Sequence, residues 1–116
     1  KELIILHLLE HDFLNEERFS KSFARGKFRI KKWGRQRIVR ELKYRDISDY
    51  NIKTALKEIN QVEYLNTISE IAQKKNELIQ EENSYKRKKK ITDYLMRKGY
   101  EFDLIYDTVN TVIKST

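Results

Sequence analysis

A chain of 116 residues carries 25 Lys or Arg against 18 Asp or Glu, for a net charge of +7, with no cysteine, no proline and three glycines. These totals exclude disulfides and thiolate metal sites, and no apolar run reaches the ~20 residues needed to cross a bilayer. Charged residues make up 37% and apolar residues 39%. A thin core, few helix breakers and an all-α fold in a reducing, cytoplasmic setting are therefore expected.

Residues 1–12 read as a helix in which Ile5, Leu6, Leu8 and Leu9 form a broad apolar arc. The chain opens on Lys1 and shows no cleavage site, so a signal peptide is not expected. We expect the last helix of a first unit, most of which is missing, and hence a fragment of a longer protein. A monomer is expected, with this arc as the surface a dimer would use. The run His7-Leu8-Leu9-Glu10-His11 matches the H-x-x-E-H pattern of one metalloprotease class. A catalytic zinc needs a third ligand and a pocket, which so thin a chain does not offer, and the pair reads as two solvated histidines. No phosphate loop and no catalytic constellation can be singled out, so neither cofactor, metal nor enzymatic activity is expected.

A second helix is expected from Asn15, as N-cap with Glu16 and Glu17 in the first turn, to about Trp33. At 100° per residue Phe19, Phe23, Gly26, Ile30 and Trp33 share one side, read as the core face, with Gly26 at a close helix–helix contact. Arg18, Lys21, Arg25, Arg29 and Lys32 fall within an arc of about 80° on another side. Phe28 lies opposite Phe19, beside that stripe. It is read either as a contact for a base or a protein pocket, or as a side chain covered by another unit. The next helix, about 34–45, turns Ile38 and Leu42 inward and Arg37, Arg40 and Tyr44 outward. After a turn at Asp46, Ser48 caps a helix ending near Ile59.

Three further helices are expected at about 64–82, 84–98 and 102–114, with Gly99 as a left-handed stop. A shift of 53 residues superimposes Ile38, Leu42, Ile47, Ile52, Leu56 and Ile59 on Ile91, Leu95, Tyr100, Ile105, Val109 and Val112. Asp46 falls on Gly99. Two copies of a three-helix unit follow, residues 13–61 and 62–116. The expected architecture is a row of tandem, helix-turn-helix-like repeats forming an elongated, curved module.

Residues 18–45 hold twelve Lys or Arg against the single acid Glu41, residues 46–83 are net acidic, and residues 84–98 are again basic. A solvated helix face usually mixes Glu with Lys at i,i+4. Here like charges sit three and four apart, which points to an anionic partner. Lys86, Arg87, Lys89 and Lys90 form a second basic face at a helix N-terminus, where they oppose the dipole.

The segment Phe13-Leu14-Asn15-Glu16-Glu17-Arg18-Phe19 resembles a signature of the RecX family, bacterial regulators of the RecA recombinase. The resemblance continues through Phe23-Ala24-Arg25, Lys32-Trp33-Gly34, Arg37-Ile38 and Glu41-Leu42, then Tyr94-Leu95 and Arg97-Lys98-Gly99-Tyr100. Asp46 departs from the family's usual glycine. The resemblance implies a row of three-helix units that binds RecA and its filament on single-stranded DNA. Such a protein lodges in the filament groove and suppresses ATP hydrolysis and strand exchange, a role in DNA repair and the SOS response. Arg18, Lys21, Arg25, Arg29, Arg37 and Arg40 would make the first contact face. The competing reading is a helix-turn-helix-like module that binds DNA directly but weakly. A third is a helical scaffold for acidic proteins.

Overall fold

The computed structural model describes residues 2–114, with side chains from Asn15 onward. Six helices follow one another: α1 (Glu2–Lys31), α2 (Arg35–Tyr44), α3 (Asp49–Leu56), α4 (Gln61–Leu78), α5 (Ser84–Lys98) and α6 (Phe102–Lys114). There is no strand among the described residues. Helices α1–α3 pack together as one bundle and α4–α6 as a second. The fold is all-α, built of tandem three-helix units, and elongated at 69 × 23 × 21 Å.

Helix α1 runs unbroken through Asn15, where the sequence suggested a cap. No glycine or proline lies between Glu2 and Arg25 to interrupt it, so continuing the helix costs less than stopping it. Glu16 serves a different helix. Its carboxylate accepts the Ser48 N–H at 2.7 Å and the Asn51 side-chain amide at 3.1 Å, at the start of α3. These bonds, the Ser48 N–H first, hold its pKa below the ordinary 4.5. The Ser48 hydroxyl accepts the Asn51 N–H, as expected of an N-cap. The expected apolar arc at residues 3–9 and the His7/His11 pair lie outside the described side chains.

The core face of α1 is Ser20, Ala24 and Phe28, rather than the Phe19, Phe23, Gly26, Ile30 and Trp33 side. Small residues let α1 and α3 approach closely, and that contact outweighs the apolar size of the other face. Ile30 is 78% exposed, and a β-carbon at Gly26 would meet nothing within 4 Å. Gly26 therefore marks an open groove and no helix crossing. Phe23 and Trp33 pack at the core's edge.

The 53-residue repeat holds in three dimensions. Four of the six matched pairs are buried in both bundles, Ile38, Leu42, Ile52 and Ile59 in the first and Ile91, Leu95, Ile105 and Val112 in the second. Ile47 and Leu56 are only partly buried where Tyr100 and Val109 are buried. The turns match too, with Asp46 at φ 58° and Gly99 at φ 98°. Helix α4 starts at Gln61, three residues earlier than expected, because the Asn60 side chain caps it by accepting the Glu63 N–H. It ends at Leu78, four residues early. Helices α5 and α6 have the expected bounds, with Asn83 capping α5.

Candidate functional site at the junction of the two bundles

Gly34 and Gly99 join the bundles through backbone alone. Gly34, the N-cap of α2, has no side chain to satisfy the helix's free N–H groups. The C-terminus of α5 does so instead: the Gly34 N–H donates to the Lys98 carbonyl and the Gln36 N–H to the Gly99 carbonyl, both at 2.8 Å. The positive end of one helix dipole thus meets the negative end of another.

Tyr64 closes the seam from α4. Its ring is fully buried between Phe28 and Tyr100, with centroids at 5.6 and 5.2 Å. Its hydroxyl accepts the Arg35 N–H at 2.9 Å and donates to the Glu101 carboxylate. Burial, and then that carboxylate, push the Tyr64 hydroxyl above the ordinary phenol range. The Arg35 guanidinium lies over the same ring, 3.9 Å from its centroid, and bonds Glu101 at 2.9 Å and the Gln61 side chain. Tyr100 donates its hydroxyl to the Lys32 carbonyl at 2.8 Å. Burial, more than the nearby Glu101 charge, raises its pKa as well.

Cations converge on this rigid seam. Arg37 stacks on Trp33 at 4.1 Å. Lys98 donates to the Lys31 carbonyl at 3.0 Å, and burial, then Arg37 and Lys32, hold its ammonium below the usual lysine range. Between α2 and α5 lies a groove of about 620 Å³ lined by Arg37, Arg40, Glu41, Met96 and Arg97. Its one acid, Glu41, also sits 3.7 Å from Arg45.

The other expected contact residues have more varied fates. Arg18, Arg29, Lys32 and Arg40 are exposed, with no side-chain partner among the described residues. Lys21 pairs with Glu17 at 3.1 Å and Arg25 with Glu58 at 2.5 Å. Phe28 is only 3% exposed and packs on Tyr64, so it is covered by the second bundle and is not on the contact surface. Of Lys86, Arg87, Lys89 and Lys90, Lys86 is exposed with no side-chain hydrogen bond or ion pair among the described residues. Arg87 is a structural tie, donating to the Asn76 and Ile79 carbonyls at 2.8 and 3.1 Å and so capping the end of α4. Lys89 pairs with Asp93 at 3.2 Å and Lys90 with Glu81 at 3.7 Å. The Asn83 N–H, ahead of Lys90 and Lys86, holds the Glu81 carboxyl below its ordinary range.

Sequence reasoning missed Arg97 and Lys98 as site residues. The available signal was their place in the last turn before the left-handed Gly99, where a helix end presents side chains to a neighbouring unit.

Residues 15–56 match the family model described as RecX, second three-helix domain, and residues 62–109 match RecX, third three-helix domain. Three similar proteins are each named Regulatory protein RecX. That of Leuconostoc mesenteroides is 26% identical over 110 residues, 95% of this chain and 41% of the relative. That of Clostridioides difficile is 23% identical, covering 97% and 53%, and that of Clostridium perfringens 27% identical, covering 92% and 49%. The chain spans about half the length of the curated relatives it matches. No solved structure matches. Two successive domains of one family, in order along most of its length, place the junction between known neighbours, and the chain belongs to the RecX family.

Proposed function

We propose that this protein regulates the RecA recombinase in the cytoplasm, by binding RecA or the groove of its filament on single-stranded DNA and suppressing ATP hydrolysis and strand exchange. The observation that carries this reading is the basic groove at a junction fixed by backbone hydrogen bonds. Arg37 and Lys32 add to burial in disfavouring the charge on Lys98, and Arg40 and Arg97 line the same groove as Arg37. A surface that keeps such repulsion gains it back on meeting fixed anions. Arg18 and Arg29 on α1 extend the surface, so weak contacts along a filament add through effective concentration.

The test is ATP hydrolysis by a cognate RecA filament on single-stranded DNA, titrated with the native chain and with the Arg29→Glu, Arg40→Glu, Arg97→Glu triple variant. Suppression by the native chain, weakened at least tenfold in the variant, is expected. No suppression by the native chain, or equal suppression by the variant, rejects the reading. Salt-sensitive binding to naked DNA in the same assay buffer, without any effect on RecA, would favour direct DNA binding.

A further inference from the structure

Outside the junction, three aromatic side chains left largely in water converge on one groove. Tyr85 of α5 is 76% exposed, and Phe102 and Tyr106 of α6 are 62% and 60% exposed. They line a mostly apolar groove of about 360 Å³ with Lys88 and Lys89 at its rim. The sequence places them together: Tyr85, Lys88 and Lys89 are spaced i, i+3 and i+4 on α5, and Phe102 and Tyr106 are spaced i and i+4 on α6. The Phe102 and Tyr106 rings stand 6.4 Å apart, tilted by 35°.

The core does not need these rings. Ile91, Leu95, Ile105 and Val109 already fill the space between α5 and α6. A contiguous apolar patch kept in solvent marks a binding surface, and its rim selects the partner. Lys88 engages only the neutral amide of Asn110, at 3.2 Å, so its charge is uncompensated. Lys86 extends the cationic edge along α5. Asp93 is paired with Lys89, and the acids of α6, Asp103 and Asp107, do not line the groove.

Aromatic faces beside the Lys88 ammonium, which has no carboxylate partner among the described residues, with the Asp93-paired Lys89 next to it, match a chain of flat apolar rings strung on phosphates. Bases in a duplex are already stacked on one another, so only unpaired bases can reach the groove. We propose that Tyr85, Phe102 and Tyr106, with Lys88 and Lys89, form a stacking platform for single-stranded nucleic acid. The proposal does not rest on the RecA reading, because the residues and the ligand contacts are separate from the junction.

Because the whole chain is basic, any oligonucleotide will bind it to some degree, and the test must isolate the bases. Fluorescence anisotropy would compare a labelled oligothymidylate of about twelve nucleotides with an abasic strand of the same length and charge. The native chain should bind the base-bearing strand about tenfold more tightly, as expected for stacking by one or two bases. Tyr85→Ala, Phe102→Ala and Tyr106→Ala should each shrink that ratio, and Phe102→Trp should preserve it. Arg40→Glu with Arg97→Glu should weaken both strands and leave the ratio intact. Equal affinity for the two strands, as a protein-docking face would give, overturns the proposal. So does a ratio that survives all three alanine changes in folded protein.

Discussion

A β-carbon at Gly34 would lie 2.3 Å from the carbonyl oxygen of Gly99, and one at Gly99 would lie 2.3 Å from Cβ of Arg37. The two bundles therefore touch through main chain at a distance that no side chain permits. Gly34→Ala should cost about 3 kcal/mol through forced displacement of the seam. Gly99→Ala should cost at least as much, since it adds a left-handed alanine to the same collision. Urea unfolding followed separately at Trp33 and by helix content checks this. A single transition in the native chain should split in the variants.

Lys32 ends α1 at φ 60°, a conformation that costs a residue with a β-carbon about 1 kcal/mol. Lys32→Gly should therefore stabilise the fold by about that amount, while its carbonyl still accepts from Tyr100. The same change removes a cation from the junction. Chemical denaturation and filament inhibition, measured together, should move in opposite directions.

Glu16 has a folded-state pKa lowered from 4.5, chiefly by the Ser48 N–H. A lowered carboxylate pKa adds stability that is fully present above the unfolded value and lost as pH falls through the folded one. Native protein should lose stability more steeply than Glu16→Gln on acidification below pH 4.5, with the two curves closest at the acid end. At neutral pH the variant should be weaker by about 1 kcal/mol, as for loss of a helix cap.

Arg87 satisfies two carbonyls at the end of α4. Arg87→Met keeps the aliphatic stem and should cost about 2 kcal/mol by leaving those acceptors unpaired. Amide hydrogen exchange in the last turn of α4 should accelerate. Lys86→Met, which breaks no such bond, should leave exchange there unchanged.

Helix content, the two-unit repeat and the turns at Asp46 and Gly99 were legible because each follows from local chemistry: apolar spacing, caps and left-handed stops. The core face of α1 was not, since hydrophobic size pointed to Phe19 and Ile30 while close packing selected Ser20 and Ala24. Asn15 looked like a cap only because the destination of Glu16, thirty-two residues away at Ser48, is a tertiary fact. For the candidate site, periodicity found Arg29, Arg37 and Arg40. It could not pair them with Arg97 and Lys98, because that grouping depends on how one bundle sits on the next. Nor could it tell free cations from occupied ones: Arg25 and Arg87 look the same as Arg29 until Glu58 and the end of α4 are in place.

The missing side-chain cap at Gly34 has a consequence for the order of biosynthesis. A ribosome releases α2 well before it has made Lys98 and Gly99, whose carbonyls complete the start of that helix. During this interval the nascent first bundle presents bare amides and an uncovered Phe28. A chain halted before Gly99 would expose the surface that the finished protein hides, and would be open to chaperones and proteases. Translation must pass that glycine before the earlier half is safe.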